Sequence, residues 1–306
     1  MVSQLLLEIE NALHANRTLE IIDSEKQYED FQNDSFFKDM ASLSTGTRGY
    51  FIEIKPVGSE FIQLYISVNW ATDSEVIFKV IANSEYSAII KSIRFFHKGG
   101  QANGTVELYF NELLSYNSFP NLTFFYTQHF SEDGCLIASF KGNYEEDGLG
   151  GKILDFMPNI KVLNLVSAPD YTFFSREHHP IETLEVRAGY ENNKFIENLT
   201  NSKCFSNLKH FSYQDINIDF TQSPDDSVMQ FETIDKFMAS KNFPNLEVLS
   251  LLELRITDKQ LEKLKKSFLG QSVKKLVLGN QRTERFNSSR EYKMERDWFI
   301  KTYFSY

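Results

Sequence analysis

Six histidines are the residues of this chain best suited to acid–base or metal chemistry. They are His14, His97, His129, His178, His179 and His210. Their spacing matches no zinc-binding signature, which sets ligands a few residues apart. His178 and His179 precede Pro180, a pattern that predicts an exposed turn. The other candidates, His97, His129 and His210, fall on or beside predicted strands, so an enzyme with a His-based site there is one alternative function.

Two further segments carry groups that bind phosphate or calcium in other proteins. Gly148-Leu-Gly-Gly-Lys152 lacks the glycine at 146 and the hydroxyl residue at 153 that a phosphate loop needs, and three acids precede it. It predicts a turn before a helix over 151–157. The acids Asp215, Asp219, Asp225 and Asp226 lack the spacing of an EF-hand and predict a solvated loop. We therefore expect no enzyme: no catalytic residue, no metal and no cofactor.

A hexad with apolar residues at its first, fourth and sixth positions recurs seven times. The repeats begin at Ile90, Leu122, Ile160, Ile181, Leu208, Leu246 and Val273. Four are introduced by an asparagine, at Asn121, Asn159, Asn207 and Asn245. Segments between the hexads have helical spacing at 191–200 and 228–239, and a capping box at Thr257–Gln260 begins a helix that Gly270 is expected to end.

The cadence Phe119-Pro-Asn-Leu122, followed by apolar residues at fixed spacing, resembles that of leucine-rich repeats. The resemblance covers residues 88–280 and implies an α/β solenoid with a parallel sheet and a concave binding face. The spacings run from 21 to 38 residues, and the long ones, which exceed the usual range of roughly 20–29, imply insertions or an extra strand, expected at 135–140. The chain is similar to small bacterial cytoplasmic leucine-rich-repeat proteins, some of which are toxin-neutralising immunity proteins.

The first part of the chain has a different periodicity. Residues 3–14 predict a helix, and alternating apolar residues predict three strands at 50–55, 62–68 and 76–80. We expect residues 1–85 to form a small α+β module with an antiparallel meander, and residues 86–306 to form the solenoid. A capping helix is expected at 288–304, because an open solenoid end needs a cover.

Strand positions that alternate with the apolar ones predict a partner-binding face. Its expected members are Arg94, Phe96, Phe124, Tyr126, Asn164, Glu185, Arg187 and His210. Arginine and aromatic side chains are the types most enriched at interface hot spots. The alternative is that loops or the N-terminal module cover these aromatics. Most of the other 28 Phe and 14 Tyr residues are expected in the core.

Charge and composition narrow the class of partner. A net charge of −10 excludes broad nucleic-acid binding, which depends on a basic surface. The same acidity suits a basic protein partner through complementary charge; the alternative is that it only keeps the chain in solution. We expect no membrane contact, and a cytoplasmic location, because the N-terminus lacks signal-peptide features and the chain has two cysteines. A substrate-receptor adaptor is the remaining alternative, although residues 1–45 lack the Leu-Pro start of an F-box-like helical segment.

Overall fold

The computed structural model describes residues 2–17, 50–68, 71–97, 105–107, 110–129, 137–139, 148–188, 191–215 and 228–280. The helices are α1 (Val2–Arg17), α2 (Ala71–Ile81), α3 (Ser84–Ser87), α4 (Leu149–Phe156), α5 (Phe195–Asn201), α6 (Phe231–Met238), α7 (Asp258–Lys265) and α8 (Phe268–Ser272), with a 3₁₀ helix at Tyr171–Phe174. The expected helix at 288–304 and the acids Asp219, Asp225 and Asp226 lie outside the described residues.

Nine strands form one mixed sheet in the order β1-β2-β3-β5-β7-β8-β9-β10-β11. They are β1 (Phe51–Val57), β2 (Phe61–Val68), β3 (Ile90–His97), β5 (Phe124–His129), β7 (Val162–Leu165), β8 (Thr183–Arg187), β9 (His210–Gln214), β10 (Val248–Leu254) and β11 (Lys275–Asn280). β1 and β2 pair antiparallel, and every other pair in this sheet is parallel. The prediction of an α/β protein with a parallel sheet is confirmed at this level.

Each of the seven hexads forms a strand, and these strands lie side by side in chain order. The strand expected at 135–140 is also present, as β6 (Ile137–Ser139), which pairs in parallel with β4 (Thr105–Glu107). The hexad therefore predicts seven of the nine strands of the sheet correctly, and the first two spacings between hexads carry one additional strand each.

The strand expected at 76–80 is wrong, because α2 occupies that segment. Ile77, Phe78 and Ile81 are fully buried, which is helical spacing. The apolar residues of this short run fit both periods. The topology decides between them: β2 and β3 are parallel, so the chain must cross over the sheet, and a helix usually makes that crossing.

The prediction that Gly270 ends the helix beginning at Thr257 is wrong. The capping box at Thr257 is present, but α7 ends at Lys265 and a second helix, α8, follows from its own N-cap, Ser267. Gly270 lies within α8, where a Cβ would overlap the backbone carbonyl oxygen of Leu264. The glycine therefore allows close approach of two short helices.

The sheet continues without a break across the expected boundary at residue 85. β2 pairs with β3 along its length, from Ile62 opposite Ile90 to Val68 opposite His97. Leu5 of α1 and Phe78 of α2 belong to the same buried cluster as the inward residues of the hexad strands. The division into modules 1–85 and 86–306 stays a prediction, since a shared core does not by itself define folding units.

Phenylalanine fills the core positions where leucine is usual in such repeats. Phe95, Phe125 and Phe211, which lie on strands, are at most 1% exposed. Phe110 contacts two of the rings around it edge-on, with centroids 5.4 Å from Phe78 and 5.4 Å from Phe125. Most of the Phe and Tyr residues in the described segments are therefore buried, which agrees with the prediction that such residues fill the core.

Three of the four asparagines that introduce hexads link their repeat to the one before it. The side-chain amide of Asn121 donates to the Ala88 carbonyl (2.7 Å), that of Asn159 to the Pro120 carbonyl (2.8 Å), and that of Asn245 to the Ser206 carbonyl (3.1 Å). In each case the accepting residue lies two positions before the first residue of the previous hexad. We call this set the asparagine ladder.

Charges alternate along the second position of five consecutive hexads, at Lys161, Glu182, Lys209, Glu247 and Lys274. Glu182 lies between two lysines, with ion pairs of 3.2 Å to Lys161 and 2.6 Å to Lys209. Lys274 pairs with Glu247 at 3.0 Å. We call this set the charge ladder: at the start of each strand from β7 to β11, the charged side chain lies next to one of opposite charge on the neighbouring strand.

Candidate interaction face

The strand residues that alternate with the core positions form a second face of the sheet, which we call the outward face. Across the strands its members lie in rows. Arg94 is in register with Tyr65 on one side and Tyr126 on the other. Thr183, His210 and Val248 follow one another in the same way on β8, β9 and β10. The rows bring distant parts of the sequence together on one surface.

Arg94 is held between two aromatic rings of this face. Its guanidinium carbon lies 4.9 Å from the ring centroid of Tyr65 and 5.3 Å from that of Phe124. The Phe124 ring in turn stacks on Tyr126, with centroids 6.2 Å apart and planes 27° apart. Rings on both sides restrict the side chain, because cation–π contacts favour a guanidinium that lies over the ring face.

A lysine and a glutamate extend this cluster onto the edge strand. The Lys55 ammonium lies 4.9 Å from the centroid of the Tyr65 ring, so this ring contacts a cation from each neighbouring strand. Lys55 also pairs with Glu53 at 3.3 Å. Sequence reasoning missed these three residues because it placed them in a separate module. The alternation within β2 could have identified Tyr65, because it places this residue on the face of the strand opposite to the buried Leu64 and Ile66.

Burial divides the eight residues predicted for the binding face. Phe96, Phe124 and Arg94 are partly exposed, whereas Tyr126 is 6% and Asn164 is 2% exposed. Asn164 accepts a hydrogen bond from the Thr127 hydroxyl (3.0 Å). The backbone register between β5 and β7 covers only two residue pairs, so this side-chain bond extends the contact between them. Asn164 therefore has a role in joining the strands and offers little surface to a partner.

The remaining predicted residues lie further along the sheet. Glu185 and Arg187 form an ion pair of 3.8 Å on β8, with side chains 15% and 13% exposed. His210 on β9 is within hydrogen-bonding distance of the Thr183 hydroxyl, at 3.3 Å from Nδ1. Burial lowers the pKa of His210 below its usual value, which favours the neutral imidazole.

Of the three histidines on predicted strands, His210 lies apart from the other two. His97 and His129 are in register at the ends of β3 and β5, while His210 begins β9, with β7 and β8 in between. At about 4.8 Å per strand, β5 and β9 are roughly 14 Å apart. Within the described residues, no group of three His, Cys, Asp or Glu side chains could hold a metal ion.

Two polar residues expected on exposed loops are buried. His178 is exposed as predicted, but His179 is 3% exposed against Phe205, and burial lowers its pKa to about 4. Asp215 is 4% exposed, and its carboxylate accepts bonds from the Tyr213 hydroxyl (3.1 Å) and the Met229 amide (2.6 Å). It therefore ties β9 to the start of the next helical segment, where the sequence predicted a solvated loop.

The buried cysteine has the properties of a core residue. Burial raises the pKa of the Cys204 thiol to about 11, so it is protonated at neutral pH. A protonated thiol is a poor nucleophile and a poor metal ligand. The Cys204 side chain therefore offers no reactive group. Its backbone carbonyl accepts a hydrogen bond from the His179 amide (2.8 Å).

Comparisons with known proteins leave the family open. No protein-family model and no curated sequence matches this chain. A structural-genomics crystal structure of a Bacteroides fragilis protein is similar over 63% of this chain, at 13% identity and a TM-score of 0.37. The match spans 52%, about half, of the length of that protein. Among the described helices, none is both long and apolar enough to cross a membrane.

Proposed function

We propose that this chain is a non-enzymatic binding protein of leucine-rich-repeat type, which binds a protein partner through the outward face of its sheet. The observation that carries the proposal is the group of Phe124, Phe96 and Arg94, partly exposed on adjacent strands whose opposite side is core. Aromatic and arginine side chains on a rigid surface are typical of interface hot spots. A sheet fixes their positions before binding, which lowers the entropic cost of association.

The repeat class is supported by three features that recur together. The hexads form neighbouring parallel strands, helices connect several of them, and the asparagine ladder joins successive repeats. Repeat proteins of this kind commonly present an extended binding surface.

In its more specific form, the proposal is that the partner is a basic protein, such as a toxin that this chain neutralises. The net charge of −10 supports this form, because opposite net charge speeds association. Resemblance to small bacterial repeat proteins is the other support. The outward face then blocks the partner by binding it, with no chemistry of its own.

The test is capture of a partner from the native host by the wild-type chain and by Phe124→Ala. Tyr171→Ala is the matched control, since Tyr171 is 72% exposed and lies on the 3₁₀ helix outside the sheet. We expect wild type and Tyr171→Ala to recover the same protein and Phe124→Ala to lose it. Equal recovery by Phe124→Ala, with an unchanged circular dichroism spectrum, would exclude this face.

A further inference from the structure

β11 is the last strand of the nine-stranded sheet, and its outer edge is paired with no described strand. The Lys275 amide donates to the Glu247 carbonyl of β10 at 3.0 Å. Because backbone polar groups alternate in direction along a strand, those of Leu276 and Leu278 point away from β10. A row of such N–H and C=O groups is a template for pairing with another extended chain.

The core is also less covered at β11 than at the strand beside it. Leu276 and Leu278 are only partly buried, whereas their register partners on β10, Leu249 and Leu251, are fully buried. A further strand with apolar side chains at the same two levels would remove more of this leucine surface from water. The outer edge of β11 therefore offers hydrogen-bonding groups and apolar surface together.

The opposite edge of the sheet, formed by β1, is less suited to strand addition. Pro56 lies within β1 and has no amide to donate, and the exposed Lys55 precedes it. Proline and charge are the features that discourage pairing at a sheet edge. β11 contains no proline, so the two edges differ in what they can bind.

The charge ladder indicates which kind of strand fits at β11. Its last member, Lys274, has a 73% exposed side chain and pairs with Glu247 on β10 at 3.0 Å. Within the ladder, Glu182 pairs with a lysine on each side, so one member can have two oppositely charged neighbours. Continued alternation places a carboxylate beside Lys274 on the next strand. A single exposed ion pair adds selectivity more than affinity.

We propose that an extended segment of a partner protein adds to the outer edge of β11 as a parallel strand. Its Asp or Glu carboxylate lies beside Lys274, and its apolar side chains lie beside Leu276 and Leu278. Such a segment follows the pattern of this chain's own acidic hexads, as at Leu246–Leu251, with an acid at the second position. Backbone hydrogen bonds supply affinity, and the alternate side chains supply specificity.

Two observations set this edge apart from other occupants and from the surface proposed above. Residues 281–306, which follow β11 in the chain, contain no hexad with apolar residues at its first, fourth and sixth positions and an acid at its second. This favours a separate chain as the occupant. The edge of β11 is also distinct from the outward face around Phe124, so the inference goes beyond the proposed function and does not depend on it.

Binding of labelled peptides tests the inference. The acidic probe is fluorescein-labelled Ser-Leu-Glu-Thr-Leu-Ser-Leu-Ser. The second probe has Lys in place of Glu, and the third has Pro in place of Thr and of the central Ser, which removes the amides that would face β11. By fluorescence anisotropy at low salt, we expect the acidic probe to bind about threefold or more tighter than the lysine probe, a difference that 1 M salt removes. The proline probe should bind at least about tenfold more weakly, and equal binding of it would overturn strand addition.

Variants of ladder lysines locate the contact. Lys274→Glu should reverse the preference between the acidic and lysine probes. Lys274→Gln, which creates no like-charge contact with Glu247, should abolish it. Lys161→Glu is the matched control, because Lys161 is a ladder lysine on β7, which has a paired strand on both sides, and it should keep the wild-type preference. Unchanged circular dichroism and melting temperature establish that each variant is folded. A wild-type preference in both Lys274 variants would overturn the ladder assignment.

Amide hydrogen exchange of the full chain shows which strand the peptide contacts. We expect the acidic probe to slow exchange in residues 273–280 and to leave residues 90–97 unchanged. Slower exchange in 90–97 alone would move the contact to the outward face and overturn the inference. Phe124→Ala should bind the acidic probe like wild type, so the inference and the proposed function can fail separately.

Other occupants of the edge give different results in the same measurements. A wild-type dimer in analytical ultracentrifugation, whose formation slows exchange in residues 273–280 without peptide, would assign the edge to a second copy. Exchange in 273–280 as slow as in 248–254 of the monomer, with no peptide binding, would assign it to the chain itself. Either result would overturn the partner assignment.

Discussion

Single asparagine side chains hold the repeats in register. The sequence shows that asparagine recurs before the hexads, but its acceptor lies 33 to 39 residues earlier and depends on how the turns stack. Spacing within one repeat cannot predict a bond between two. The position of the ladder residues was therefore predictable, and their function was not.

Removing one ladder bond should have a modest, measurable effect on stability. Asn159→Ala is expected to lower the free energy of unfolding by about 0.5–1.5 kcal/mol, the usual net value of one hydrogen bond. Urea unfolding followed by circular dichroism measures it. Asn201→Ala, an exposed asparagine at the end of α5, is the control and should change stability by less than about 0.5 kcal/mol. Equal effects of the two would argue that the ladder does not stabilise the fold.

The two adjacent histidines, one exposed and one buried, should respond differently to acid. The pKa of His179 falls to about 4 on folding, from an ordinary value near 6.5, because burial and the nearby Arg176 disfavour the charged form. The unfolded chain therefore binds one more proton between these values. The stability linked to His179 is present above pH 6.5 and falls as the pH drops towards 4, by roughly 1–3 kcal/mol.

Replacing each histidine separately isolates this effect. His179→Leu is expected to have a flatter dependence of unfolding free energy on pH between 6.5 and 4 than the wild-type chain. His178→Gln, at the exposed neighbour, should keep the wild-type slope. Urea unfolding at several pH values gives both slopes. Identical slopes for the two variants would contradict a buried, neutral His179.

At the scale of elements, the charge ladder favours the observed order of strands. Each rung pairs a lysine with a glutamate, and omission of one strand would place two like charges side by side. The hydrogen bond from Lys209 is the main reason that the pKa of Glu182 is lowered, and the hydrogen bond from Lys161 lowers it further. The stability from this carboxylate is present above its unfolded pKa, near 4.3, and is lost as the pH falls through the lower folded value.

Neutralising the central carboxylate should give a small loss that depends on salt. Glu182→Gln is expected to destabilise the chain by about 0.5–1 kcal/mol at low ionic strength and by less at 1 M salt, because these groups are partly exposed. Unfolding in urea at the two salt concentrations measures the difference. Glu232→Gln, at an exposed glutamate on α6, is the control with no expected salt effect of this size.

Local signals predicted elements well, and contacts between elements were harder to predict. The capping box at Thr257 depends on four consecutive residues and was predicted correctly. α2 was mistaken for a strand, because its helical form depends on the parallel pairing of β2 with β3. The same limit applies to the candidate site: alternation placed Arg94 and Phe124 on the outward face, but Tyr65 joins them only through that pairing.

At the scale of the whole molecule, the described segments share one buried core, which predicts joint unfolding of the first strands of the sheet. Leu64 of β2 is fully buried and lies beside Ile93 of β3, across the boundary expected at residue 85. Leu64→Ala should therefore lower the stability of residues 50–68 and of residues 90–97 by the same amount, about 2–5 kcal/mol. Amide hydrogen exchange, read by mass spectrometry in peptides from the two segments, measures both. Leu249→Ala on β10, a fully buried leucine outside the expected 1–85 module, is the comparison. If Leu64→Ala weakened protection only in residues 50–68, the N-terminal part would be a separate folding unit despite the continuous sheet.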